Sequence, residues 1–400
     1  EETEVNRARA RTVMAEHGLD ALIATTTENF AYLTGMQEVD RLRQNWLSRY
    51  WAVLPAAAEG PRGMLVPRIH LQYAAQAGSD VEVIRSYGDY SYAMADAGAL
   101  SEEEARLVAL REPKSLADPF DALVALLGDM GLSGARRIGV DERMLSRADF
   151  ATLEKKLPQL ELVEAHDHFR TIRKVKTAEE IAVMRRALVI TIEAMVESIA
   201  AIKVGRPQAE AYEALRMGMA RHDLHARNIT AGVGPKSIWA FAQPSARLTQ
   251  KGDIIKFDHG GVYQGYWTDW GRSGTVGDPD PEVARRYAAL LAGQQAGIAR
   301  LRPGATAAEI AGVVERTARE AGLPDYSRPA YGHGIGREIY DFPSISHGDT
   351  TVIEAGMVIN VEAPLYELGW GGLQIEDTLV VTATGAEYLA DYSRELFVAG

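Results

Sequence analysis

Short apolar runs rich in β-branched and aromatic residues alternate with helical stretches over the first 170 residues. After a helical stretch that ends at about His17, six such runs follow: LDALIAT, ENFAYLTGM, YWAVLPA, GMLVPR, VEVIRSY and RRIGVDE. Runs of this length, separated by helical segments, are typical of the strands of a layered α/β structure. We therefore interpret residues 1–170 as an α/β domain.

The pattern changes near residue 170, in HFRTIRKVKTAEE. Thr177 and Glu180 have the spacing of a capping box, and an uninterrupted helical pattern follows to about Val204. A chain of 400 residues exceeds the size of a typical single core. We therefore expect a second domain over residues 171–400.

The second domain contains one order of elements twice. A long helix, the break KVGRPQAEA and another helix lead to the β-region KGDIIKFDHGGVYQGYWTDWGRSG. A helix that begins near Pro281, the break RPGATAAEIA and a further helix lead to EAGMVINVEAPLYELGWGGLQIEDTLVVT. Each half ends in a hairpin with two acids, which predicts a pseudo-twofold domain whose sheets face a shared centre.

The first hairpin has one convenient turn, VYQG at residues 262–265. If the turn is centred between Tyr263 and Gln264, Asp258 lies opposite Asp269. Directly opposed residues of an antiparallel pair share a face, with Cβ atoms about 4.5 to 5.5 Å apart. Two carboxylates are therefore expected to converge.

The second hairpin has the same arrangement around its glycine-rich turn, GWGG. Glu362 and Glu376 are symmetric about Gly369, so they are expected to face each other as well. Both glutamates lie among apolar neighbours, where an unpaired charge is costly. A bulge would shift the register of either hairpin.

The net charge and the absence of cysteine limit the classes of partner and the metal ligands that the chain can offer. A formal charge of -12 without long blocks of like charge argues against nucleic acid or an anionic membrane as partner. The chain has no cysteine, so any metal must be held by oxygen and imidazole ligands. No apolar run has the length of a membrane span, and the first residues resemble an amphipathic helix, so a cytoplasmic protein that acts on small molecules or short peptides is expected.

Four converging carboxylates repel one another unless a cation compensates their charge. His333, in AYGHGIGREIYDF, supplies an imidazole, and its glycine neighbours let the backbone pack closely beside the site. Four carboxylates and one imidazole suit manganese, cobalt, iron or zinc, and this number of ligands is natural for two bridged ions. Each acid alone would ordinarily be a solvated surface group, but the five residues together predict a metal centre.

Four blocks resemble those of the creatinase, aminopeptidase P and prolidase superfamily, the pita-bread metallopeptidases: KFDHGGVYQGYWTDWGRSG, GHGIGREIYD, GMVINVEAPLY and GGLQIEDTLVVT. The resemblance implies a creatinase-like N-terminal α/β domain, then a pseudo-twofold pita-bread α+β catalytic domain. It also implies a dinuclear site with five ligands: Asp258, Asp269, His333, Glu362 and Glu376. Asp269 and Glu376 would bridge both metals, and a metal-bridging hydroxide would attack an Xaa-Pro amide while Glu362 assists proton transfer.

Three positions depart from the residues that usually contact substrate in this family. Its peptidases usually carry histidines where this chain has Phe241 and Tyr340, and its prolidases commonly carry an arginine where this chain has Gln374. The Tyr340 hydroxyl can donate a hydrogen bond to an oxyanion, although a phenol with a pKa of about 10 shuttles protons poorly at neutral pH. Packing is the alternative role of Tyr340. Arg337 is a candidate to replace the lost arginine as a carboxylate clamp, with a solvated arginine as the alternative.

Aromatic side chains are dense around these blocks: Trp239, Trp267, Trp270, Trp370, Tyr263, Tyr266 and Tyr366. They would suit an apolar or cationic substrate group, whereas core packing is the ordinary role of any single one. We expect Glu362, His333 and Tyr340 to be catalytic. The expected substrate-binding residues are Phe241, Tyr340, Arg337, Gln374 and Trp239. His259 should point away from the acids by strand alternation.

The sequence favours a two-metal hydrolase that cleaves an amide bond, most simply an Xaa-Pro dipeptidase or aminopeptidase. One alternative is a non-peptidase of the same fold that acts on a small metabolite, as ectoine hydrolases and dimethylsulfoniopropionate lyases do. Another is a catalytically silent binding module, which five retained ligands disfavour. Manganese is the expected metal, with cobalt, zinc or iron as alternatives. The resemblance further implies a homodimer, with four residues as candidates for its border: Arg41, Arg43, Asn45 and Trp46.

Overall fold

The computed structural model describes residues 6–36, 48–77, 81–94, 100–111 and 115–400. The chain forms two compact units that divide between Arg173 and Lys174. Among the helices described, none combines the length and the apolar composition that a membrane crossing requires. The four residues proposed for a dimer border, Arg41, Arg43, Asn45 and Trp46, lie outside the described residues.

A six-stranded sheet is the centre of the N-terminal unit in its described part. Its strands are β1 (Ala21–Ala24), β2 (Trp51–Pro55), β3 (Gly63–Pro67), β4 (Val83–Tyr87), β5 (Arg137–Val140) and β6 (Glu161–Glu164). Their order across the sheet is β4-β3-β2-β1-β5-β6, and β2 runs antiparallel to both of its neighbours. The β1–β5, β5–β6 and β3–β4 pairs are parallel.

Helices accompany this sheet on both faces. Those in the described residues are α1 (Arg7–Glu16), α2 (Thr27–Thr34), α3 (Leu71–Ala77), α4 (Glu102–Leu110), α5 (Pro119–Asp129), α6 (Arg147–Lys156) and α7 (His166–Arg173). Alternate residues of β1 belong to different apolar clusters, with Leu22 in one and Ile23 in the other. Both faces of β1 are therefore buried, which explains its continuous apolar run.

One predicted strand of this unit is a helix. The run ENFAYLTGM lies mostly in α2, because the Thr26 side chain caps that helix by accepting a hydrogen bond from the Asn29 backbone N–H. The other five runs contain β1 to β5, as predicted. β6 was not predicted, since its residues are only half-buried or exposed and its ends are glutamates.

The C-terminal unit, residues 174–400, is described throughout. Its helices are α8 (Ala178–Ala201), α9 (Ala209–Ala220), α10 (Pro281–Arg300) and α11 (Ala307–Glu320). The capping box predicted for α8 is present, because Thr177 and Glu180 each accept a hydrogen bond from the backbone N–H of the other. The helix ends at Ala201, three residues before the predicted end.

The strands of the C-terminal unit are β7 (His225–Val233), β8 (Ile254–Tyr263), β9 (Tyr266–Trp267), β10 (Trp270–Val276), β11 (Gly332–Gly334), β12 (Asp341–Ser344), β13 (Val358–Glu362), β14 (Leu365–Glu367), β15 (Gly371–Leu373), β16 (Glu376–Val381), β17 (Ala386–Tyr388) and β18 (Phe397–Ala399). Ten of them form one sheet with the central order β12-β11-β13-β16-β10-β8-β7, and β14 and β15 form a separate ribbon.

The repeat in the sequence corresponds to two halves of this unit, each with a helix pair followed by a hairpin. The halves do not form separate sheets that face each other, because β10 pairs directly with β16. Phe257 of β8 packs in one cluster with residues of α8 and α9, and Ile359 of β13 packs in another with residues of α10 and α11. The helices therefore cover one face of a single sheet, and the side chains that alternate with Phe257 and Ile359 point to the other face.

Candidate metal centre

Three of the four predicted acids lie in one row across the sheet. Asp258 of β8 is opposite Gly271 of β10, Gly271 is opposite Glu376 of β16, and Glu376 is opposite Glu362 of β13. Directly opposed residues share a face, so all three carboxylates project from the face that the helices leave open. Gly271 has no side chain, and a Cβ there would lie 2.2 Å from the Gln374 Cγ. The space above Gly271, between Asp258 and Glu376, therefore holds no side chain of β10.

The predicted register of the first hairpin is wrong by two residues. The structure pairs Tyr263 with Tyr266, so the turn is formed by Gln264 and Gly265. Both turn residues have positive φ, 48° and 77°, as a two-residue type I′ turn requires. Asp269 consequently lies two residues before the partner of Asp258 in place of opposite it. A shift of two residues keeps the same face, so the two carboxylates still converge.

The predicted register of the second hairpin is confirmed. Glu362 pairs with Glu376, and the β14–β15 ribbon continues the same symmetry, with Tyr366 opposite Gly372. Gly369 lies at the centre of the turn with φ 86°.

His333 projects from the same face in the neighbouring row, where it is opposite Asn360 of β13. Its Nδ1 lies 3.0 Å from the Gly334 carbonyl oxygen, which leaves Nε2 directed toward the acids, 3.8 Å from the Asp269 Oδ2. Ligand atoms of Asp269, His333 and Glu376 all lie within 4.8 Å of one another. A backbone partner for one ring nitrogen is the usual way to orient a histidine whose other nitrogen binds a metal.

The glycines beside His333 are required by close packing, as predicted. Gly332 has φ 138°, and a Cβ there would lie 2.0 Å from the Asn360 carbonyl oxygen. A Cβ on Gly334 would lie 2.0 Å from the Phe342 carbonyl oxygen. Side chains at either position would push β11 away from its neighbours.

Burial shapes the electrostatics of the whole cluster. It raises the pKa of Asp258 to about 6 and raises the pKa values of Asp269, Glu362 and Glu376 as well. Repulsion from neighbouring carboxylates raises the pKa values of Asp258, Asp269 and Glu376 further. Burial lowers the pKa of His333, which favours the neutral imidazole that a metal ligand needs.

A second set of polar residues supports the acids. The Asn360 Nδ2 donates to the Glu376 Oε1 at 2.7 Å, and the Asn228 Nδ2 lies 3.4 Å from the Asp269 Oδ1. The Thr378 hydroxyl donates to the Asp269 carbonyl oxygen at 3.1 Å. Sequence reasoning missed these residues. Strand alternation could have found two of them, since Asn360 and Thr378 are each two residues from a predicted ligand.

Gln374, predicted to contact substrate, belongs to this supporting set in the structure. Its side chain is buried, and its Nε2 donates to the Glu362 Oε2 at 2.9 Å. The Gln374 side chain also lowers the pKa of Asp258 against the effect of burial. A neutral amide here holds Glu362 in place.

Arg337 is neither solvated nor turned toward an open site, contrary to both sequence interpretations. It is 2% exposed, and its guanidinium lies 4.1 Å from the centroid of the Tyr266 ring. The Tyr266 hydroxyl donates to the buried Glu180 at 2.9 Å, and the Arg337 charge lowers the pKa of that glutamate against the effect of burial. Arg337 is therefore an interior cation that anchors the segment after His333 to the start of α8.

The remaining predicted substrate residues are accessible. Tyr340 is 55% exposed, and its ring meets the His333 ring edge-on with centroids 4.7 Å apart. Trp239 and Phe241 are 52% and 66% exposed. Lys256 donates to the Trp239 carbonyl oxygen at 2.8 Å, which ties that loop to the strand that carries Asp258. Partial burial and the neighbouring carboxylates raise the pKa of Tyr340, so the phenol keeps its proton at neutral pH.

His259 lies on the helix-covered face, as predicted from strand alternation. Its Nε2 is 3.3 Å from the Thr191 carbonyl oxygen of α8, and burial lowers its pKa to about 4. The same face holds Asp377, which pairs with Arg272 at 2.6 Å. Asp377 on the helix-covered face thus has a cationic partner, whereas none of the four open-face acids has a lysine or arginine within salt-bridge distance among the described residues.

The donor set of the open face fits divalent transition metal ions. Four carboxylates and a neutral imidazole are the oxygen and nitrogen ligands that such ions accept, and their mutual repulsion is the energetic reason to bind a cation. Five ligands are ample for one ion and sufficient for two.

Comparison with known proteins points the same way. A family model described as metallopeptidase family M24 matches residues 182–383, and one described as the creatinase/prolidase N-terminal domain matches residues 7–175. An Xaa-Pro dipeptidase of Pyrococcus furiosus is 29% identical over 299 residues, which cover 74% of this chain and 83% of that protein. A probable dipeptidase PepE of Mycobacterium bovis is 29% identical over 398 residues, with coverages of 98% and 95%. The crystal structure of the prolidase from Pyrococcus horikoshii superposes with a TM-score of 0.77 at 22% identity, over 98% of this chain and 100% of that one.

Proposed function

Because the chain belongs to metallopeptidase family M24 and is a metal-dependent hydrolase, we propose that it cleaves the amide bond of short Xaa-Pro peptides at a centre of two divalent ions. The names of its relatives, Xaa-Pro dipeptidase and probable dipeptidase, support this substrate class. The observation that carries the proposal is the row of carboxylates on the open face of the sheet, in which Asp258, Glu376 and Glu362 lie on either side of Gly271.

Five residues would hold the ions: Asp258, Asp269, His333, Glu362 and Glu376. Asp269 and Glu376 are the buried acids of the group that converges with His333, so they are suited to be shared between two ions. Two divalent ions at such a centre supply a water-derived nucleophile at neutral pH and a Lewis acid for the carbonyl oxygen. Manganese is the metal we propose.

Glu362 is the acid we assign to proton transfer. It is half-buried, unlike Asp269 and Glu376, and lies at the end of β13 where substrate can reach it. Gln374 donates to one of its carboxylate oxygens, which holds the group in orientation and leaves the other oxygen for a proton.

Tyr340 is suited to donate a hydrogen bond to the oxyanion that forms when the amide carbon is attacked. Its ring is held at the edge of the His333 ring, and its hydroxyl keeps its proton because burial raises the pKa. Trp239 and Phe241, each more than half exposed, would form an apolar wall for the substrate side chain.

A peptide panel tests the function. The protein would be stripped of metal, reconstituted with manganese or cobalt, and assayed with Ala-Pro, Gly-Pro, Ala-Ala and a longer Xaa-Pro peptide. We expect turnover of the Xaa-Pro dipeptides and close to two metal ions per chain by elemental analysis. Full metal occupancy without turnover of any peptide would refute the peptidase and favour the small-metabolite alternative.

The homodimer and the cytoplasmic location expected from the sequence stay predictions. Light scattering after size-exclusion chromatography would test the first, and cell fractionation would test the second.

A further inference from the structure

Tyr340 lies in the short connection between β11 and β12. Residues 335–340 belong to no strand or helix of the described structure. Near the end of β11 the connection is held by the backbone, where the Trp267 N–H donates to the Gly336 carbonyl oxygen at 2.8 Å. The position of Tyr340, at the other end, therefore depends on what holds the start of β12.

A buried ion pair holds the start of β12. Asp341 follows Tyr340 in the chain, and its Oδ2 lies 3.6 Å from the Lys176 Nζ, with the two side chains 0% and 1% exposed. Lys176 is fixed in turn, because its backbone N–H donates to the Gly356 carbonyl oxygen at 2.9 Å and its Nζ donates to the Lys174 carbonyl oxygen at 3.3 Å. Breaking a buried pair leaves an uncompensated charge in the interior, so this contact opposes displacement of Asp341.

The connection packs directly against this ion pair. A Cβ on Gly336 would lie 2.9 Å from the Lys176 Cε and 3.2 Å from the Asp341 Oδ2. Arg337 makes a second buried contact, 4.1 Å from the centroid of the Tyr266 ring, and the hydroxyl of that ring donates to an acid in the first turn of α8. The start of α8 therefore holds the connection at residues on both sides of the tyrosine.

The position of Tyr340 matters for the role assigned to it. Its ring contacts the His333 ring edge-on and is 55% exposed, so only part of the ring is held by packing. A donor to an oxyanion must lie within about 0.5 Å of its productive position, and a displacement of about 1 Å can lower a rate about a hundredfold. Because consecutive Cα atoms are joined at a fixed distance, a shift of Asp341 moves Tyr340 with it.

We propose that Lys176 is a positioning residue for the reaction. Its ion pair with Asp341 fixes the backbone at Tyr340 and so keeps the phenol beside His333, where its hydroxyl can meet the oxyanion. This inference rests on the proposed function and deepens it, because it adds a buried residue that acts on the site through another side chain. The alternative role of the ion pair is stability of the fold alone, and kinetics separate the two roles.

Lys176→Met keeps the length of the side chain and removes its charge. With manganese and Ala-Pro, we expect kcat to fall about fivefold to tenfold, no further than removal of the Tyr340 hydroxyl itself, with KM and metal content within about twofold of wild type. Lys203→Met, at an exposed position two residues after the end of α8, is the matched control and should keep the wild-type kcat. An unchanged kcat in Lys176→Met would overturn the proposal.

A double variant covers the case in which Lys176→Met fails to fold because Asp341 is left unpaired. Lys176→Met combined with Asp341→Asn removes both charges, so no ion of the pair remains buried without a partner. We expect this variant to fold and to show the same fall in kcat, because no ion pair then holds the connection. Wild-type kcat in the folded double variant would overturn the proposal.

The Tyr340→Phe background distinguishes positioning from stability. Without the hydroxyl, Lys176 has no donor left to position, so Lys176→Met should change kcat by less than about twofold in that background. A general loss of structure would lower kcat by the same factor with and without the hydroxyl. Equal factors would therefore assign the ion pair to the fold alone and overturn the proposal.

Fluorine NMR reports the position of Tyr340 without any turnover. In zinc-loaded protein labelled with fluorotyrosine, the Tyr340 resonance is the one that Tyr340→Phe removes. We expect Lys176→Met to shift or broaden this resonance and Lys203→Met to leave it unchanged. An unchanged resonance in Lys176→Met would refute the positioning role even if Xaa-Pro peptides are cleaved. A displaced resonance, with no turnover of any Xaa-Pro peptide by the wild type, would refute the proposed function and keep the placement of Tyr340 by Lys176.

Discussion

Both units of the protein contain buried acids, but the hydrogen bonds and pKa shifts of Asp141 in the N-terminal unit differ from those of the acid cluster in the C-terminal unit. In the N-terminal unit, Asp141 is fully buried and accepts hydrogen bonds from Thr26, Asn29 and His166 at 2.6 to 2.9 Å. Burial alone would raise the pKa of Asp141, but these bonds outweigh it and lower the pKa to about 2. The carboxylate is satisfied by the fold itself.

The acids on the open face of the C-terminal sheet receive fewer hydrogen bonds in the described structure. Among the described residues, one side chain donates to the Asp269 carboxylate, Asn228 at 3.4 Å, and burial and neighbouring acids raise the pKa of Asp269 well above the ordinary value. Burial by itself therefore does not mark a functional acid. The combination of burial, several carboxylates and too few donors marks a site that an external cation completes.

The largest effect is expected from a substitution within the acid cluster of the C-terminal unit. Asp269→Asn removes a charge and a ligand oxygen, so we expect loss of metal and a fall in kcat/KM of at least about a thousandfold. Elemental analysis and Ala-Pro hydrolysis measure both. Asp278→Asn, at an exposed position of the same unit, is the matched control. Wild-type metal content in Asp269→Asn would contradict the assignment.

The counterpart in the N-terminal unit should change stability and leave metal binding intact. Asp141→Asn replaces an acceptor with a group that opposes the donors around it, so we expect a loss of about 2 to 4 kcal/mol in the free energy of unfolding at pH 7. Urea unfolding measures the loss, with the exposed Asp89→Asn as control. An unchanged unfolding midpoint would show that the hydrogen bonds contribute nothing.

The pH dependence of that loss follows from the lowered pKa of Asp141. Because its pKa is lower in the folded than in the unfolded state, the carboxylate contributes stability above its ordinary pKa of 3.8 and loses it as pH falls through about 2. The contribution amounts to roughly 2 kcal/mol. The difference between wild type and Asp141→Asn should therefore shrink between pH 5 and about 2.

Removal of metal should destabilise the C-terminal unit and leave the stability of the N-terminal unit unchanged. Chelation leaves the carboxylates uncompensated, and a ligand at a hundred times its dissociation constant stabilises the folded state by about 2.7 kcal/mol. We expect hydrogen exchange in β10 and β16 to accelerate by tenfold or more after chelation, with β1 and β5 unchanged. Equal acceleration in all four strands would contradict a metal site confined to the C-terminal unit.

The smallest effect is expected from a substitution of Tyr340, whose ring contacts His333. Tyr340→Phe removes one hydroxyl and keeps the aromatic ring that contacts His333, so we expect kcat to fall about tenfold with KM and metal content nearly unchanged. Tyr263→Phe, near the turn of the β8–β9 hairpin, is the control. An unchanged kcat in Tyr340→Phe would assign the tyrosine to packing.

Local sequence patterns predicted most of the fold and the five proposed ligands. The strands β1 to β5 were visible as short apolar runs, and the capping box located the start of α8. The register of the second hairpin followed from the symmetry of its turn around Gly369. The run ENFAYLTGM was misassigned because a side-chain cap starts a helix there. The first hairpin was shifted because its turn has a positive φ at Gln264. The hydrophobic pattern contains neither feature.

The sequence alone was sufficient to propose the metal centre, because strand alternation and paired acids in each hairpin act within a few residues of one another. Only the tertiary structure decided what surrounds that centre. Lys256, Arg328 and Tyr366 lie on distant segments of the chain and contact one another in the fold. Arg337 is buried because its guanidinium packs on the Tyr266 ring, whose hydroxyl donates to Glu180. Such contacts depend on how separate strands and loops pack, and no local periodicity encodes them.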